Sequence, residues 1–270
     1  MPKLNIRGAD LHYSIAGTGP QTIVFIHGLM LASESWHHQV AAFRDRYRVV
    51  TFDLRGQGRS DKTTEGLDLD SLALDVVALI GALNLGPCHL VGFSMGTFIA
   101  MRVAVLAPEM LETLTLIGPS AEAEDPARMP RYRALIALVR VLGARPFVRP
   151  LLKILFGDTF LNHPARRFEV ARWRGYLRDL PRSLHRAAAA SAHRRGIVGS
   201  LGRIVTPTLV VSGAEDRPIP TAKAQAVADG IAGARMLVVP ATGHAVMLER
   251  PEVFNAALDG FLGGRTRLVA

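Results

Sequence analysis

The stretch Cys88-His89-Leu90-Val91-Gly92-Phe93-Ser94-Met95-Gly96-Thr97-Phe98-Ile99-Ala100-Met101 decides the fold of this 270-residue chain. Its first four residues form a largely apolar run of strand length, Gly92-x-Ser94-x-Gly96 reads as a turn, and Thr97 opens a helix-length apolar stretch. Strand, tight turn and helix in that order lift one serine out of an otherwise apolar segment. The flanking glycines have a steric reason: a Cβ beside a serine on so sharp a turn would collide with neighbouring backbone. A helix beginning at Met95 also aims its first N–H groups beside Ser94, where they favour negative charge.

Working outward, Ile23-Val24-Phe25-Ile26 and Val49-Val50-Thr51-Phe52 are continuous runs of the kind buried on both faces of a sheet. Leu4 to Arg7 and Leu11 to Ala16, joined by Gly8-Ala9-Asp10, read as a hairpin. Leu111 to Ile117, Thr208 to Val211 and Met236 to Val239 complete eight strand-length runs. Helices are expected over Ser35 to Phe43, Asp70 to Leu83, Pro220 to Ile231 and Pro251 to Leu262, and the tail over residues 263–270 is expected to fray. Strands alternating with helices imply an α/β fold with a mostly parallel sheet, because parallel neighbours need crossover connections.

Between Ser120 and Gly202 the strand-like runs stop. Leu135, Leu138, Val139 and Leu142 recur at helical spacing as one apolar stripe, with Arg133 and Arg140 outside it, and prolines divide the segment into short helices. The division expected is a core over residues 1–119, a helical lid inserted after the sixth strand over 120–202, and the rest of the core over 203–270.

Composition agrees with a single globular unit: 49% hydrophobic and 20% charged residues give a sizeable core. The N-terminus lacks the apolar segment of a secretory signal, and no stretch reaches the length of a membrane span, so a soluble cytoplasmic protein is expected. Cys88, the one cysteine, excludes an internal disulfide and any multi-cysteine metal site. The net charge of +9 is concentrated: residues 121–200 carry 16 Lys/Arg against 6 Asp/Glu, which leaves the remainder near neutrality.

A serine hydroxyl attacks at neutral pH only with a base, and the base needs an orienter. Two strand ends supply such groups: Gly213-Ala214-Glu215-Asp216 and Gly243-His244. Together with His27-Gly28, Asp53-x-Arg55-Gly56-x-Gly58-x-Ser60 and the Ser94 turn, these five motifs in order resemble the α/β-hydrolase superfamily over essentially the whole chain. Within it the chain is most similar to the group of 3-oxoadipate enol-lactonases, small-ester hydrolases and cofactor-free haloperoxidases.

The resemblance implies Ser94 as nucleophile, His244 as base and then acid, and Asp216 as orienter, with the backbone N–H groups of Leu29 and Met95 as the oxyanion hole. Glu215 competes for the acid's role, and the family spacing favours Asp216. His27, Asp53 and Arg55 are taken as structural. No metal or organic cofactor is implied. The function expected is hydrolysis of a small carboxylic ester or lactone through an acyl-enzyme. The alternatives are carbon–carbon bond hydrolysis of a β-diketone-like substrate and a ligand receptor that does not turn over.

Trp173, Phe147, Phe160 and Tyr176 of the lid are candidates to line the substrate pocket. The lid arginines suit an anionic substrate, a solvated basic face, which is favoured, or a peripheral membrane contact. The expected partner is a small molecule, with no nucleic acid and no integral membrane association; the sequence leaves the oligomeric state open.

Overall fold

The computed structural model describes residues 2–264, so the expectation of a frayed tail lies, past Gly264, outside the described residues. β1 (Lys3–Ile6) and β2 (Ala9–Ala16) form the hairpin. Its turn is Arg7-Gly8 rather than Gly8-Ala9-Asp10. Both turn residues have positive φ, 47° and 80°, as a two-residue connection between right-twisted strands requires, which frees Ala9 and Asp10 to join the ladder.

β3 (Thr22–Ile26), α1 (His37–Phe43), β4 (Arg48–Phe52), α2 (Leu69–Ala82), β5 (Cys88–Phe93), α3 (Met95–Leu106) and β6 (Leu111–Ile117) follow. The helix expected from Ser35 divides into a 3-10 turn over Ser33–Trp36 and α1. Asp68 starts α2 by accepting the Ser71 N–H at 2.9 Å, which satisfies one orphan donor of the first turn. Beyond β6 come five helices: α4 (Met129–Leu142), α5 (Val148–Leu155), α6 (Asp158–Asn162), α7 (Arg167–Arg178) and α8 (Leu184–Ala192). The chain then completes the sheet and its cover with β7 (Thr208–Gly213), α9 (Thr221–Gly230), β8 (Arg235–Val239), α10 (Val246–Glu249) and α11 (Pro251–Leu262).

The eight strands form one sheet in the order β1-β2-β4-β3-β5-β6-β7-β8, antiparallel at β1, β2 and β4 and parallel from β4 through β8. Period-two alternation divides each central strand between two cores. Val24, Ile26, Leu90 and Val210 pack with α2, α3 and α9 on one face. Ile23, Phe25, Val91 and Val211 pack with α1 and α11 on the other. Burial on both faces explains why these strands read as unbroken apolar runs.

Of the helices between β6 and β7, α5, α6 and α7 rest on the second face through Leu151, Leu155, Phe160, Trp173 and Leu177. α4 does not. The predicted stripe of Leu135, Leu138, Val139 and Leu142 is split: Leu138 and Leu142 are 45% and 52% exposed, and no residue of α4 is buried. Tyr132, Leu135, Ile136 and Val139 are the half-buried edge instead. α4 packs against α8, whose Ala187–Ala190 run offers a shallow alanine face that covers only one edge of its partner. Among the described residues no helix is long and apolar enough to cross a membrane.

Candidate active site

Of residues 88–104, Ser94 alone is not buried. It stands between β5 and α3 at φ 51°, ψ −116°, a strained backbone for a residue with a Cβ. Its surroundings hold it there. The Ser94 N–H donates to Ile117 O at 2.9 Å, and the Ser94 carbonyl accepts from the Thr97 N–H at 2.8 Å and the Thr97 hydroxyl at 2.6 Å. A Cβ on Gly92 would lie 2.5 Å from Gly96 O, and one on Gly96 would enter the backbone of Ile26, so the turn closes only with glycine at both places.

His244 and Asp216 meet beside this turn. The His244 Nδ1–H donates to Asp216 Oδ2 at 2.6 Å, with both side chains almost completely shielded from solvent. Asp216 Oδ1 accepts the Ile219 N–H at 2.9 Å, which fixes the carboxylate's orientation. A carboxylate partner places the imidazole proton on Nδ1 and leaves Nε2 as the acceptor. Two contacts bring the imidazole to the elbow. The Phe93 and His244 ring centroids are 4.8 Å apart, and Gly118, which follows the Ile117 that Ser94 bonds, would touch the imidazole with any Cβ. Glu215 turns the other way, to the N–H and hydroxyl of Thr159, which hold its carboxyl below the usual range.

The turn that carries Leu29 is built by neighbours on both sides. His27 Nε2 accepts the Leu54 N–H at 3.0 Å and its Nδ1 donates to Gly28 O at 2.8 Å. Burial pushes the His27 pKa down, in keeping with this neutral imidazole. Gln57 Oε1 takes the Met30 N–H at 3.2 Å. Asp53 accepts the N–H groups of Ser33 and Arg59, each at 2.7 Å, while Arg55 makes a two-pronged pair with Asp75 at 2.7 and 3.0 Å. Asp53 and Arg55 are thus occupied with loop structure. Met95 is the first residue of α3, where N–H groups have no acceptor within the helix.

A cavity of about 370 Å³ lies between this turn and the helical insertion, lined by Met30, Gln57, Arg59, Tyr176, Leu180 and Leu184 among others. Ser94, Asp216 and His244 are not on its wall; Met30, next to Leu29 in sequence, is. Of the four aromatic candidates it takes only Tyr176. Phe160 and Trp173 pack around Phe156, with ring centroids 4.9 and 5.9 Å from it, and Phe147 is partly buried against the hydrophobic core of the second face. Cys88 is buried in β5, where desolvation pushes its thiol up to about 12. Among the described residues no three His, Cys, Asp or Glu side chains gather as a metal site.

Two features escape the sequence reading. Gln57 lies in a loop read for Asp53, Arg55 and its glycines, and Glu249 ends the apolar run Val246-Met247-Leu248. A lone acid closing an apolar run is the one signal that could have pointed to Glu249.

Known proteins resemble this chain over most of its length. The Alpha/beta hydrolase family model matches residues 23–257. A carbamate hydrolase named RutD from Agrobacterium fabrum is 29% identical over 93% of this chain and 98% of its own length. The non-heme bromoperoxidase named BpoC from Mycobacterium tuberculosis is 31% identical over 93% of this chain and 97% of its own length. A thermophilic esterase from Thermogutta terrifontis, solved with malate bound, superposes with a TM-score of 0.89 at 27% identity, over 99% of this chain and 100% of the esterase. With its sheet order, its serine elbow and its match over residues 23–257, the chain belongs to the alpha/beta hydrolase family.

Proposed function

We propose that this hydrolase cleaves a small carboxylic ester, linear or cyclic, through an acyl-enzyme on Ser94. In this reading His244 Nε2 takes the proton of the Ser94 hydroxyl as its oxygen attacks the ester carbonyl. The Leu29 and Met95 N–H groups receive the oxyanion, where each donor contributes on the order of 3 kcal/mol. The histidine then protonates the departing alcohol, and water repeats the sequence to release the acid. Asp216 keeps the imidazole in the tautomer that leaves Nε2 free and stabilises the cation that forms.

The observation that carries the proposal is the conjunction of a strained, solvent-reaching Ser94 with the His244–Asp216 pair bonded at 2.6 Å. Strain held by so many backbone contacts marks a functional position. The insertion over residues 120–202 serves as the lid in this reading, and Tyr176 lies on the wall where substrate would enter. A screen of p-nitrophenyl esters and lactones, read by product mass spectrometry, tests it. Acid and alcohol released over many turnovers support an esterase. Cleavage confined to a carbon–carbon bond, or binding without turnover, would replace it.

A further inference from the structure

The loop that carries His244 and the helical insertion share one buried acceptor. Glu249, at the end of α10, is 2% exposed. Its two carboxyl oxygens accept the Gly243 N–H at 3.0 Å and the Gly157 N–H at 3.3 Å. Gly243 precedes His244, and Gly157 lies between α5 and α6. A Cβ on either glycine would enter the backbone of the other, so the two segments pack backbone to backbone with Glu249 as common acceptor. The Ala245 N–H donates to Leu155 O at 2.8 Å and extends the seam. On the far side of Gly157, Glu215 holds Thr159 and Arg217 pairs with Asp158. The insertion is therefore wedged, near residue 157, between the loop of Asp216 and the loop of His244.

We propose that Glu249 is a positioning residue: by holding Gly243 and Gly157 on one carboxyl, it makes the seating of the insertion and the alignment of His244 a single event. The inference rests on the Ser94, His244 and Asp216 reading above. A buried acid is costly unless it satisfies polar groups, and here it satisfies two N–H groups that have lost water.

The groups around it define its charge. Glu215 and Asp216 face it from the loop after β7, His163 and Arg166 from the insertion across a cavity of about 280 Å³, and Arg250 adjoins it in sequence. Burial, opposed by the two N–H groups and reinforced by Glu215 and Asp216, lifts the carboxyl to about 8. It is protonated at neutral pH and gains its charge, close to Asp216, as pH rises through that value. Glutamine copies the neutral form in size and keeps an acceptor oxygen. Alanine keeps neither.

The test is the rate of fluorophosphonate labelling of the whole protein, wild type, Glu249→Gln and Glu249→Ala, across neutral to alkaline pH, with circular dichroism to confirm folding. The wild type should show a break in rate near about pH 8. Glu249→Gln should label within about threefold of wild type at neutral pH and lack that break. Glu249→Ala should label about tenfold or more slowly throughout, as two unpaired N–H groups let the loop shift. Identical rates and profiles in all three proteins overturn the positioning role. If Glu249→Ala does not fold, the Glu249→Gln profile decides alone: retention of the break overturns the proposal. A wild type that takes no label overturns the serine hydrolase reading and the inference with it, whereas a labelled wild type matched by its variants overturns only the inference.

Discussion

Glu215 and Asp216 are neighbours in the loop after β7, yet one turns to the insertion and the other to His244. Asp216 is buried on His244, while Glu215 reaches out to Thr159 at the start of α6. The same division runs through the molecule. At the sheet's carboxyl edge, loops interlock by backbone contact and leave no space for an added carbon. In the insertion, helices are basic, partly exposed and joined by side chains. The contrast teaches that reaction chemistry needs positions fixed by the backbone, whereas an entrance needs only to be seated at a few points.

The largest expected effect separates the two adjacent carboxylates. Asp216→Asn should lower ester turnover by about 10²- to 10⁴-fold, because an amide neither selects the useful imidazole tautomer nor stabilises the imidazolium. Glu215→Gln should cost less than about tenfold, since it weakens only the anchor to Thr159. Steady-state kinetics on one ester checks both, and equal losses would erase the division drawn here.

Two helical glycines extend the comparison to stability. Gly96→Ala in α3 should destabilise by about 2 to 4 kcal/mol, because the new methyl enters the backbone of Ile26. Gly175→Ala in α7 meets nothing within 4 Å and should stabilise by up to about 1 kcal/mol through the better helix propensity of alanine. Denaturant midpoints decide this, and a shift of the same sign at both sites would mean that the insertion is packed as tightly as the elbow.

The smallest effect concerns charge. Arg166 already pairs with Glu169 at 2.8 Å and Arg178 with Asp179 at 2.9 Å, and Arg167 and Arg172 lie over Phe168 and Trp173. Raising salt to physiological strength should therefore change kcat/KM for a carboxylate-bearing ester and for a neutral ester alike, within about twofold. A steep fall for the anionic ester alone would make the insertion an electrostatic guide to substrate.

How legible each region was follows from the same contrast. Strands buried on both faces announce themselves as apolar runs, so Ile23–Ile26 and Cys88–Phe93 stand where the sequence predicts strands. The glycines around Ser94 could be read because backbone collisions leave few alternatives. α4 could not be oriented from its periodicity: a stripe shows which residues share a face, and what covers that face is a tertiary fact, here an alanine-rich partner that leaves Leu138 and Leu142 in solvent. Glu249 was hidden for a related reason, since its partners are backbone N–H groups 6 and 92 residues away and carry no residue-type signature.

The most direct measurement is the site of covalent modification by a fluorophosphonate, mapped by peptide mass spectrometry in the wild type and in Ser94→Ala. The account predicts one adduct per chain, on Ser94, and none on Ser94→Ala, with the substituted protein still folded. An adduct on another serine, or equal labelling of both proteins, would contradict the assignment of the nucleophile and the reaction built on it.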